Sequence, residues 1–159
     1  MNYFDITTCD VCNGEGIGVC LWVSGCDLRC EGCHGSHTWS PEYGKKFTKY
    51  DESLLFNELD KPYIKRLTIT GGHPLMWCNR EAVEKLLKNV RARYGNTKEI
   101  WLYTGYVYGP YMDPESKRLI ETYVDVLVDG PFIQELKDIN LPFRGSSNQR
   151  VLRVKDLLQ

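Results

Sequence analysis

Four short runs along the chain are rich in apolar, β-branched or aromatic residues: VCLWVS at 19–24, RLTIT at 66–70, EIWLYT at 99–104 and VDVLVD at 124–129. Runs of this length, too short for a buried helix, predict strands. Between the second and third, Val83, Leu86, Leu87, Val90 and Tyr94 of NREAVEKLLKNVRARYG recur at the spacing of one helical face. Asn79 offers a side-chain acceptor for the orphan N–H groups at its start, and Gly95 the backbone freedom to stop it. Leu54, Leu55, Phe56 and Leu59 mark another amphipathic stretch in DESLLFNELDK at 51–61, and DPESKRLIETY at 113–123 opens with Asp113 as cap and Pro114 at the first helical position. Strands and helices therefore alternate, which predicts an α/β fold with a parallel sheet and right-handed crossovers. With 159 residues and no linker, repeat or low-complexity tract, residues 1–159 read as a single domain.

The predicted strands share one feature: they run out into SGC (24–26), TGGHP (70–74), TGY (104–106) and DGPF (129–132), each containing glycine. In a parallel sheet these exits lie on one edge, where ligands bind and where glycine lets backbones come close. Thr104 and Gly105 are able to reach a ligand there. The net charge of −1 gives no basic face for a nucleic acid. MNYFDITTCD lacks a signal-peptide core, and no later segment approaches membrane-spanning length. A cytoplasmic protein is expected, with neither nucleic acid nor membrane as partner.

Seven cysteines cannot all pair within one chain, and six precede residue 34. Cys26, Cys30 and Cys33 stand together in SGCDLRCEGCHGSH at 24–37. Two metal chemistries suit them. An iron–sulfur cube normally takes four cysteines, so three leave one iron open to a substrate. Adding His37 instead gives a closed Cys3His zinc site. The placement at the end of a strand favours the open cluster, while His34 and His37 read as ordinary loop histidines. Cys9 and Cys12 form a separate C-x2-C; Cys20 reads as core, Cys78 as a small packing or loop residue, and Trp22, Trp39 and Trp101 as packing.

A C-x3-C-x2-C loop after one strand and a Gly-Gly-x-Pro turn after the next resemble the radical S-adenosylmethionine (SAM) enzymes. Within them the chain is similar to the activating proteins of anaerobic ribonucleoside-triphosphate reductases, through MNY, NGEG (13–16), VSGC (23–26), CEGC (30–33), HTW (37–39), TGGHPL (70–75), IWLYTGY (100–106), VDVLVDGPF (124–132) and FRGSSNQR (143–150). The resemblance implies an open partial (β/α) barrel with a mainly parallel sheet. It implies a [4Fe–4S] cluster held by Cys26, Cys30 and Cys33, the catalytic and metal-binding residues, with SAM chelating the fourth iron. Gly71 and Gly72 would set backbone against the methionine moiety, and Gly32, Cys33 and His34 would also line the cofactor. Reductive cleavage of SAM would give a 5′-deoxyadenosyl radical that takes a Cα hydrogen from a glycine of the reductase, with a one-electron donor such as flavodoxin. A complete (β/α)8 barrel needs about 200 residues or more, so the sheet should stay open and admit a polypeptide. A zinc-stabilised binding module and an activase of another glycyl-radical enzyme, such as pyruvate formate-lyase, are the rival readings. The chain departs from the family at His73, where an acid is common; at His34, where an aromatic is common; and in NGEGIG, where Glu15 and Gly18 replace proline and arginine.

Overall fold

In the computed structural model, which describes residues 1–159, all four apolar runs are strands. In chain order the elements are β1 (Asn2–Asp10), β2 (Gly18–Val23), β3 (Lys45–Lys46), α1 (Lys49–Leu59), β4 (Arg66–Gly71), α2 (Trp77–Tyr94), β5 (Glu99–Tyr103), α3 (Pro114–Tyr123), β6 (Val126–Asp129), β7 (Arg150–Arg153) and α4 (Val154–Leu157). One sheet contains all seven strands in the order β3-β1-β2-β4-β5-β6-β7. Its centre, β2-β4-β5-β6, is parallel, with Leu21 beside Ile69, Ile69 beside Leu102 and Leu102 beside Leu127. The flanks are antiparallel: β1 on β2, β3 on β1 and β7 on β6. The expectation of a mainly parallel sheet is corrected to a mixed one. The missed strands are outer ones whose sequences alternate poorly, because their pairing rests on the sheet beside them more than on their own pattern.

The helices follow their caps. Thr48 and Asp51 form a capping box at α1, and the Tyr3 hydroxyl donates to Asp51 at 2.6 Å, tying β1 to that helix. Asp113 accepts from the Ser116 N–H at 2.9 Å and Pro114 occupies the first position of α3, as the sequence predicts. Gly95 ends α2 with φ 54°. Asn79 does not cap that helix. Met76 does, and Asn79 lies buried in the first turn, its amide donating to the carbonyls of Ser24 at 2.8 Å and His73 at 3.0 Å. Leucine, isoleucine and valine, mostly from β2, β4, β5, β6 and the helix faces, form with Tyr3 and Met112 a core of 22 buried residues. Each such side chain contributes about 1.5–3 kcal/mol by leaving water. No helix is long and apolar enough to cross a membrane.

At the edge where the parallel strands begin, Arg66 is fully buried. Its guanidinium donates to Asp10 Oδ2 at 2.6 Å, to the Glu15 carbonyl at 3.1 Å and to Thr68 Oγ1 at 2.7 Å. A Cβ on Gly18 would come within 2.4 Å of Arg66 Cγ. Gly18, the position at which the resembled family carries arginine, thus makes room for an arginine delivered by the neighbouring strand. Cys9 and Cys12 are exposed at this same edge, away from the other cysteines, and Cys20 is in the core.

Burial alone would raise the Asp10 pKa, but hydrogen bonds from Arg66 and Asn13 hold it below its ordinary 3.8. This pair therefore contributes stability that is complete above the unfolded carboxylate value and is lost as pH falls through the lower folded one. Asp10→Ala, which leaves a buried guanidinium without its counter-charge, should cost about 3–5 kcal/mol. Asp10→Asn, which keeps an acceptor, should cost less, and urea unfolding of the two variants measures the difference.

Candidate metal centre at the strand exits

The four parallel strands end on the opposite edge, and their exits are hydrogen-bonded together through backbone. Gly72 N–H donates to Val23 at 2.7 Å and His73 N–H to Gly25 at 2.7 Å; Gly25 N–H reaches Thr38 at 2.7 Å, and Thr104 N–H reaches Val128 at 2.8 Å. Glycine is required at the first of these junctions. A Cβ on Gly71, which has φ 100°, would lie 2.7 Å from the Val23 carbonyl oxygen, and one on Gly72 would lie 2.5 Å from that of Gly25. The missing side chains of Gly71 and Gly72 thus admit the neighbouring strand's own backbone.

From this junction the chain runs directly into the cysteine loop. Cys26 N–H donates to the Trp39 carbonyl at 3.1 Å and Cys33 N–H to that of Cys30 at 3.2 Å. All three cysteines are free and partly buried. Burial raises the Cys26 thiol pKa, and the backbone at Leu28 and Arg29 acts against that rise. The Leu28 side chain packs over Gly105, and that of Gln134 covers Gly32. His34 is exposed.

No set of three or more His, Cys, Asp or Glu side chains converges on a single ion. His37 also stands outside any ligand set, packed edge-on between Phe4 and Tyr43 with centroids 5.4 and 5.3 Å away. Next to the loop, Ser24 Oγ and Asn79 Oδ1 are buried with no partner in the chain. Free thiols on one loop and orphan polar atoms beside it fit an iron–sulfur group with a polar ligand next to it.

Asp27 and Tyr106, which the sequence did not single out, join His73 and Thr104 here. His73 is 1% exposed; its Nδ1 lies 2.8 Å from Asp27 Oδ1 and its Nε2 2.9 Å from Thr104 Oγ1. The Tyr106 hydroxyl donates to Asp27 Oδ2 at 2.7 Å, and the Tyr106 N–H donates to Thr104 Oγ1 at 3.1 Å. Burial holds the imidazole below its ordinary 6.5, against the pull of Asp27. Thr104 is thereby committed within the protein. Cys78 lies in the first turn of α2 with its sulfur beside Gly25, in keeping with a packing role. Trp101 is buried, Trp22 donates to Thr7 at 2.8 Å and Arg144 to the Gln149 carbonyl at 3.1 Å. A separate cleft lies between the end of α2 and α4, and charges on its wall pair with one another: Arg91 with Asp125, and Arg153 with Glu99.

Residues 12–152 match the family described as a 4Fe-4S single cluster domain. The chain is also similar to proteins named anaerobic ribonucleoside-triphosphate reductase-activating protein. That of Enterobacteria phage T4 is 42% identical over 151 residues, covering 95% of this chain and 93% of the relative. That of Vibrio cholerae serotype O1 is 41% identical over 155 residues, covering 96% and 98%. That of Escherichia coli K12 is 39% identical over 153 residues, covering 95% and 97%.

Gly72→Ala should force the turn away from β2. Overpacking of this kind costs about 1–3 kcal/mol, so thermal unfolding should shift downward and cluster retention should fall with it.

Proposed function

We infer that this chain, which belongs to the family of anaerobic ribonucleoside-triphosphate reductase-activating proteins and carries a 4Fe-4S single cluster domain, is the activase of an anaerobic ribonucleoside-triphosphate reductase. In this reading Cys26, Cys30 and Cys33 hold the cluster, and three thiols in place of four leave one iron free for SAM. When bound, the cluster supplies the electron that cleaves SAM and so generates a glycyl radical on the reductase. Gly71 and Gly72 bring the exits of β2 and β4 into contact beside that position, and Gly32, Cys33 and His34 border it from the loop. The reductant is a one-electron donor of the flavodoxin kind, and the setting is cytoplasmic.

The observation that carries this reading is three free thiols on one loop at the edge where the parallel strands end, in a chain about 40% identical to named activases over nearly its whole length. The sheet supports a protein substrate. Its outer strands β3 and β7 do not pair with each other, so it remains open. We take it as a partial barrel of radical SAM type forming one domain, with the open side admitting the polypeptide that bears the target glycine. Neither rival gains support: the zinc reading needs His37, which packs on aromatic rings, and no feature of the edge points to pyruvate formate-lyase.

After anaerobic loading with iron and sulfide the protein should contain about four irons per chain, absorb in the visible, and release 5′-deoxyadenosine when reduced with SAM. Cys26→Ser, Cys30→Ser or Cys33→Ser should each abolish that release, whereas Cys9→Ser and Cys12→Ser should leave iron content unchanged. About one tightly held zinc per chain, with no visible chromophore, would remove the proposal.

A further inference from the structure

The position after Gly71-Gly72 is histidine, and its side chain turns away from the open edge into the protein. We propose that His73 is a positioning residue that joins Asp27, directly after the first cysteine, to Thr104 at the exit of β5, and thereby holds the cysteine loop in place before a cluster is present. This rests on the function inferred above and adds to it what fixes the loop.

The four residues form a closed circuit, and a neutral imidazole allows one assignment of hydrogens. The Asp27 carboxylate only accepts, so Nδ1 carries the ring hydrogen and donates to Asp27 Oδ1, while Asp27 Oδ2 accepts from the Tyr106 hydroxyl. Nε2 then accepts from the Thr104 hydroxyl, whose oxygen accepts from the Tyr106 N–H. The Tyr106 ring stands edge-on against the imidazole, with centroids 4.2 Å apart. The backbone of His73 is held as firmly. Its N–H donates to Gly25, and its carbonyl accepts from Met76 N–H and the Asn79 amide. Both ring nitrogens are therefore engaged within the protein, and the side chain has no donor left for a ligand. Asp27 is also the only side chain from Cys26 to Cys33 that hydrogen-bonds the strand exits. Without it, the loop is held by backbone at its ends and by the packing of Leu28 on Gly105 and Gln134 on Gly32.

The test is hydrogen exchange of the full chain, before and after loading with iron and sulfide. His73→Ala should speed exchange of the 26–33 amides about tenfold, the effect of losing one or two hydrogen bonds from a local opening, and should leave β6 and β7 unchanged. Asp27→Ala, which also releases the Tyr106 hydroxyl, should loosen the segment at least as much, and the double variant should be no looser than Asp27→Ala alone, since the His73 link is already broken there. Asp27→Asn, which keeps an acceptor for the imidazole N–H, should restore most of the protection. Should His73→Ala not fold, Thr104→Val removes the hydroxyl with little change of shape and should loosen the same segment. In the loaded protein, His73→Ala should lose iron to a chelator faster than the parent. Unchanged exchange at 26–33 in folded variants, or additive effects in the double variant, would overturn the proposal. Failure of the parent chain to take up iron, with the exchange pattern intact, would count against the cluster and leave the linkage standing.

Discussion

The site depends on a contact between two backbones. Where β2 and β4 end, the chain of one strand lies so close to the next that no Cβ fits between them: 2.7 Å separates an added carbon at Gly71 from Val23, and 2.5 Å one at Gly72 from Gly25. Main-chain hydrogen bonds from Gly72 and His73 close the contact. Because Gly25 directly precedes Cys26, the position of the first thiol is set by main-chain atoms of a rigid sheet, with little left to side-chain rotamers. Sites built on strands gain this kind of precision over sites on free loops.

What the sequence made legible follows from this architecture. The parallel strands are buried on both faces and so read as short runs dense in β-branched and apolar residues; the helices α2 and α3 showed through Val83, Leu86, Leu87 and Val90 and through the cap at Asp113. The outer strands did not. In β1, NYFDITTCD mixes exposed and buried positions, with register shifts between Tyr3 and Asp5 and between Thr7 and Asp10, so no clean period of two survives. Asn79 illustrates a different failure. An asparagine ahead of an amphipathic stretch is a reasonable cap, but this one is buried and binds the carbonyls of Ser24 and His73, a use that depends on residues 55 and 6 positions away.

The same distinction separates the visible from the hidden parts of the site. Cys26, Cys30 and Cys33 are close in sequence, so local spacing exposed them. Asp27, His73 and Thr104 meet only after folding, at separations of 46 and 31 residues. Departures from the family's residues were legible as departures, but their compensations were not. Gly18 looked like a lost arginine until Arg66, 48 positions later in the chain, was found over it. His73 looked like a lost acid, although an acid, Asp27, lies 2.8 Å from it.

These arrangements bear on what the metal does for the fold. In small zinc domains the metal supplies the folding energy, and the apo chain is unfolded. Here 22 buried residues and a seven-stranded sheet form a core that contains none of Cys26, Cys30 and Cys33. A staple has no reason to sit where four strands end, partly open to solvent. A reacting group does, because there its surroundings are fixed by backbone while one side remains accessible. In the proposed activase, free energy of holding the cluster would go into keeping three corners bound and one vacant, an arrangement a purely structural metal would not retain.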